Sequence, residues 1–292
     1  NLKIFITPHL LEKRQKTFGS TLRTALLFPL AIVGDVCRVF EVLEGRLAEP
    51  HFDRLLVARF NMVPELIRLI RREADLARAG RGGRIILKMN GLQDKQMIDE
   101  LYEAGQAGVE IDLLVRGICC LTPDRSYSPN IRVTRIVDMY LEHARLWYFR
   151  GDGEETMYLT SSDWMRRNLN RRIEAAVPIL SPDVRREILD LLDIQLRDNV
   201  KACHIDGQLR NIFIHNDAPP VRAQQAIYEY ISKGRTQSRD ESHTPHRYPA
   251  NFPGPGGALT FFCFFSSIKG RKEGHQDKKR RGIKTRIDPA SP

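Results

Sequence analysis

Between about Phe52 and Ser232 the chain alternates short apolar runs with amphipathic segments of helical period, and this alternation restricts the fold more than any other feature. Apolar runs that alternate with helices favour an α/β sheet with helices on its faces. The expected strands are 55–58 (LLVA), 84–89 (RIILKM), 109–116 (VEIDLLVR), 131–134, 146–149, 157–160 and 175–179. The expected helices are 64–78, 94–107, 182–197 and 221–232. RIILKMN and IDLLVRG each end in a basic residue where an apolar strand meets a loop. Ligands of open α/β sheets collect beyond the carboxyl ends of strands, which would bring Lys88, Asn90 and Arg116 onto one rim. Plain solvation of the strand ends accounts for them equally well.

The flanks follow another grammar. From Lys233 onward the chain carries thirteen Lys+Arg against five Asp+Glu, most of the net charge of +10, so the folded part is near neutral. Whole-chain charge is therefore a poor argument for nucleic acid, which is not an expected partner. Residues 233–292, rich in Pro, Gly, Ser and Arg, read as a disordered basic tail that is dispensable for folding. Residues 1–50 read as irregular. The most apolar runs, 24–33 and 258–268, are too short for a bilayer, which needs about 20 such residues, so no membrane span is expected. Five cysteines without CxxC or zinc spacing suggest reduced thiols in the cytoplasm and no protein metal site.

The stretch LEHARLWYFRGDGEETMYLTSSDWMRRNLNRRIEAAVPI (141–179) carries the chemistry. If 146–149 and 157–160 are adjacent strands, His143 just before one and Ser161–Ser162 just after the other meet at one sheet edge. A histidine there can serve as nucleophile, acid or base, while hydroxyls, an amide and arginines can cradle phosphoryl oxygens. Arginine suits the task because its fork binds phosphate through two parallel bonds and keeps its charge. Asp138 and Glu142 are candidate partners of the imidazole, or surface charges.

The order His-x-Arg, Ser-Ser-Asp, then Arg-x-Glu resembles a phospholipase D-like half-site, with Arg145 in place of a lysine and Ser162-Asp163 in place of Ser-x-Asn. The longer runs ILKMNGLQDKQMIDELYEAGQAGVEIDLLVRGICCL, NIRVTRIVDMYLEHARLWYF and YLTSSDWMRRNLNRRIEAAVPIL resemble the C-terminal catalytic domain of polyphosphate kinases, over about residues 36–232. That resemblance implies a phospholipase D-like mixed sheet flanked by helices, spanning 51–232, behind a remnant of a preceding catalytic domain at 1–50. It implies reversible transfer of the terminal phosphate of ATP to polyphosphate, with Mg2+ as cofactor and a homo-oligomer in the longer proteins of the family. His143 matches an assisting histidine near the nucleotide phosphates, Arg116 a phosphate-contacting arginine, and Arg172 and Glu174 the Arg-x-Glu of a polyphosphate tunnel. Lys88, Asn90, Arg145, Ser162 and Asn168 are supporting or anion-lining candidates.

The departures carry information too. In the family the phosphorylated histidine lies upstream and is followed two residues later by lysine; here the upstream histidine is His9, in PHLLEK, with Leu11 in the lysine's place. The expectation is a fragment that binds polyphosphate but does not complete the reaction alone. Two rivals stay open. A phospholipase D-like hydrolase needs a second half-site, for which no internal repeat is visible. A non-catalytic polyanion-binding module would bind with strong salt dependence and no turnover.

Overall fold

A computed structural model describes residues 30–240; the irregularity expected for residues 1–29 and the disorder expected for 241–292 lie outside the described residues. The elements are α1 (Leu30–Leu43), β1 (Leu56–Val57), α2 (Met62–Arg78), β2 (Arg84–Met89), α3 (Lys95–Gln106), β3 (Glu110–Val115), β4 (Ile131–Ile136), β5 (Leu146–Phe149), β6 (Thr156–Thr160), α4 (Arg166–Asn170), β7 (Ala175–Pro178), α5 (Pro182–Leu196), β8 (Ala202–Ile205), β9 (Asn211–Phe213) and α6 (Ala223–Asp240). One sheet runs in the order β1-β7-β6-β5-β2-β3-β4-β8-β9. Its centre, β2-β3-β4, is parallel, and antiparallel strands extend it on both sides. This is the sheet flanked by helices that the alternation of apolar and amphipathic runs predicts, and the mixed sheet that the resemblance implies.

The apolar residues of the central strands point to both faces because both faces are covered. Ile85, Leu87 and Met89 of β2 join the core that also takes Leu66, Leu69 and Ile70 of α2 and Leu101 of α3. Ile86 faces the other way, into a second core with Leu192 of α5 and Ala223 of α6. α2 buries Met62, Leu66, Leu69, Ile70, Glu73 and Ala74, the spacing of one helical face. Its neighbours start where side chains satisfy free amides: Asp94 accepts from the Met97 amide ahead of α3, and Ser181 from the Val184 amide ahead of α5, where Pro182 opens the first turn. Among the described residues no helix is long and apolar enough to cross a membrane.

Three expectations need correction. The segment 30–43, expected to be irregular, is helical: Ile32, Val36 and Val39 share one face and pack with Phe52, Leu55 and Val57. The supposed start of the disordered tail is also helical, because α6 continues past Ser232 to Asp240. Gly234 does not stop it, since an interior glycine costs a helix only about 1 kcal/mol. Strands β8 and β9, unread in the sequence, complete the sheet beyond β4.

Candidate functional site

Strand direction gathers the chemistry at one rim. β1, β2, β3, β4 and β6 end there, and β5 and β7 begin there. Asn90 and Gly91 follow β2, Arg116 and Gly117 follow β3, His143 and Arg145 precede β5, Ser161–Asp163 follow β6, and Arg172 and Glu174 precede β7. The ends of β2 and β3 come together at glycines: a Cβ on Gly117 would lie 2.6 Å from the Asn90 carbonyl oxygen, and one on Gly91 would lie 2.9 Å from the Met165 sulfur.

At the centre of the rim is Asp163, which is buried. Its Oδ1 accepts from the Asn90 amide at 2.7 Å and the Gly91 amide at 3.2 Å, and the two carboxylate oxygens take Arg145 Nε and Nη2 at 2.8 Å each. Burial pushes the Asp163 carboxyl up, but the Arg145 hydrogen bonds and charge, with the two amides, outweigh it and hold the group below the usual carboxylate range. Arg145 in turn donates to the His143 carbonyl at 3.1 Å and lies 3.4 Å from His143 Nε2. A guanidinium has only hydrogens to offer, so a hydrogen bond at this contact has Nε2 as its acceptor. Arg116 Nε donates to Asn90 Oδ1 at 3.0 Å. One hydrogen-bonded chain thus runs Arg116–Asn90–Asp163–Arg145–His143.

The other candidates divide into rim groups and supports. Lys88 donates to Glu142 at 2.6 Å, and Gln195 and Gln224 donate to the same carboxylate. Asp138 holds Arg222 through two bonds, 2.8 and 2.6 Å. The two acids weighed as imidazole partners are therefore both engaged in pinning the loop after β4 to the helices. Glu174 is buried and accepts from Ser161 Oγ at 2.5 Å and Asn168 Nδ2 at 2.8 Å. Ser162 is fully buried, with its hydroxyl on the Asp163 carbonyl, and Asn168 is buried beneath α4, so both support the rim instead of lining it. Arg172 lies on the α4–β7 connection, half-exposed beside Glu174. Asp163 itself was missed as a site residue. The signal was its place in Ser-Ser-Asp, but its partners lie on two other loops, one after β2 and one before β5.

A protein-held magnesium ion needs carboxylate oxygens free to bind it. Among the described residues no three His, Cys, Asp or Glu side chains gather as metal ligands. Asp138, Glu142, Asp163 and Glu174 are each engaged by cations or amides, so the donor set does not fit a resident ion.

Residues 55–224 match the family described as polyphosphate kinase C-terminal domain 2. The chain is 45% identical to the polyphosphate kinase of Yersinia pestis over 202 residues, covering 68% of this chain and 29% of that one. Its identity to the polyphosphate kinase of Synechocystis sp. is 48% over 169 residues, 58% of this chain and 23% of the relative. The crystal structure of the polyphosphate kinase from Porphyromonas gingivalis matches with a TM-score of 0.70 at 56% identity, over 72% of this chain and 32% of that one. The chain thus spans under a third of the length of these relatives.

Proposed function

Because the chain belongs to the polyphosphate kinase family through that C-terminal domain, we propose that residues 51–232 form half of a phosphotransfer site, transferring the terminal phosphate of ATP reversibly to polyphosphate. In this reading a phosphohistidine outside this chain carries the phosphoryl group, and residues 1–50 are the remnant of the domain that bears it. Phosphoryl transfer is mostly positioning and charge neutralisation, because charge spreads over the equatorial oxygens in the transition state. Arg116 and Arg172 neutralise that charge, Asn90 holds Arg116, and His143 assists the transfer. Magnesium belongs here to the substrate, as the counter-ion of the nucleotide. The nucleotide requirement also argues for the cytoplasm, and we expect the full-length protein to be a homo-oligomer.

The observation that carries the reading is the chain of hydrogen bonds from Arg116 to His143. It fixes both groups before any substrate arrives, which is what electrostatic preorganisation requires. The test is to incubate the purified chain with magnesium and γ-labelled ATP, alone and with the upstream portion of the Yersinia pestis relative. Labelled polyphosphate is expected only in the complemented mixture, and Arg116→Ala should lower its formation about 10²-fold. Cleavage of phosphodiesters by the chain alone would favour the hydrolase. Polyphosphate binding with no transfer even after complementation would favour the binding module.

A further inference from the structure

About half of the arginines in the described fold pair with a carboxylate, with a cluster of these on and just after one helix. On and just after α2, Arg68 pairs with Glu65, Arg71 with Glu100, Arg72 with the buried Glu73, Arg78 with Asp75 and Arg81 with Asp152. A surface concavity of about 640 Å³ lies among these residues, but its cations are already matched and it offers an anion little.

At α4 the pattern reverses. The helix buries Asn168 and Leu169 and exposes Arg166, Arg167 and Asn170, with Arg171 exposed just beyond. The nearest acid downstream, Glu174, is buried and accepts from Ser161 and Asn168. Among the described residues the Arg166 and Arg171 side chains have no hydrogen-bond or ion-pair partner, and Arg167 reaches only the Met165 sulfur, at 3.8 Å. Arg59, exposed and likewise unpartnered, adjoins them: its amide donates to the Leu169 carbonyl at 3.1 Å. Its φ of 73° is a left-handed conformation that a non-glycine residue seldom adopts. Like charges one helical turn apart, as at Arg167 and Arg171, repel each other until an anion bridges them.

We propose that Arg59, Arg166, Arg167 and Arg171 form an open cationic track for the polyphosphate chain, continuing the transfer site past Arg172. The identity of the ligand rests on the proposed function. An inorganic polyanion is favoured over single-stranded nucleic acid because binding of the latter relies on exposed aromatic platforms. Here Phe60 is half-buried, and Trp164 is fully buried.

The experiment compares the full 292-residue chain with its Arg166→Ala/Arg167→Ala/Arg171→Ala and Arg166→Lys/Arg167→Lys/Arg171→Lys variants. Binding of long-chain polyphosphate, tripolyphosphate and single-stranded RNA is titrated against salt. The basic residues beyond 240 are common to all three proteins, so differences belong to the track. The alanine variant should bind long chains about tenfold more weakly and lower the log–log salt slope by about 2. Its tripolyphosphate affinity and melting temperature should not change, and the lysine variant should keep most long-chain binding. Unchanged long-chain affinity in the alanine variant, with tripolyphosphate still bound, overturns the track and leaves the proposed function standing. Equal loss for both ligands assigns the arginines to the transfer site and also overturns the track. RNA bound as tightly and lost with the same substitutions makes it a nucleic-acid surface. Failure of the unaltered chain to bind either phosphate overturns the proposed function itself.

Discussion

On α2 and the turn after it, five arginines each meet a carboxylate, whereas on and just after α4 and in the turn after β1 four arginines meet none among the described residues. Both regions are rich in the same residue, so arginine content alone does not separate them. What differs is whether an acid is within reach. Glu65 and Asp75 stand three residues before Arg68 and Arg78, and Glu100 comes to Arg71 from α3. Asp163 stands three residues before Arg166 but lies ahead of the helix and is held by Arg145, and Glu174, three residues after Arg171, accepts from Ser161 and Asn168. Matched arginines are part of the fold, and unmatched ones hold their charge toward solvent, where a polyanion can use it.

The strongest test of that division lies at the rim itself, where Asp163 and Arg145 form a matched pair. Asp163→Asn leaves a buried guanidinium without its counter-charge and should cost about 3–5 kcal/mol in urea unfolding. Its pH dependence has a definite sign. The folded carboxyl titrates below its unfolded value, so its contribution is complete above the ordinary carboxylate pKa and disappears as pH falls through the depressed one. The variant should therefore lose less stability on acidification than the parent. An unfolding midpoint unaffected by the substitution at neutral pH would break the comparison, since a matched pair would then have no structural weight.

Next in size is Arg59→Gly. Relief of the left-handed backbone is worth about 1–2 kcal/mol, against about 0.5–1 kcal/mol for the extra chain entropy of glycine. The melting temperature should rise while long-chain polyphosphate binding weakens. A variant that lost stability would show that Arg59 belongs with the matched class. The smallest effect is expected for Arg68→Ala, whose exposed pair with Glu65 should be worth no more than about 0.5 kcal/mol. Polyphosphate affinity should stay the same although Arg68 lines the α2 concavity. A measurable loss of binding there would erase the distinction.

The fold was legible wherever burial on both faces forces an uninterrupted apolar run. RIILKM and LWYF are bounded to the residue, and the helix expected from Asp94 begins at Lys95 with Asp94 as its cap. ACHI and NIF were not read as strands: each is short, and Asn211–Phe213 is exposed along its length, so no alternation marks it. α1 escaped because its apolar face is satisfied by Phe52, Leu55 and Val57, residues that follow it across a polar turn. The places of Arg116 and His143 at the rim could be read from the strands they adjoin. The role of Asp163 could not, because it depends on three loops meeting at one carboxylate, up to 73 residues apart in sequence. The burial of Ser162 was hidden for the same reason: proximity to His143 along the chain says nothing about which way a hydroxyl turns.

Asp35, buried on α1, accepts hydrogen bonds from the amides of Asp53, Arg54 and Leu55, and the chain passes straight from there into β1. Just past the end of β1 at Val57, the Ala58 and Arg59 amides are fastened to the Glu174 and Leu169 carbonyls. Mechanically this is a tie-rod with a riveted joint at each end and no slack loop between them. The helix that precedes the sheet and the α4 segment with its arginines are thus tied to each other through one short strand.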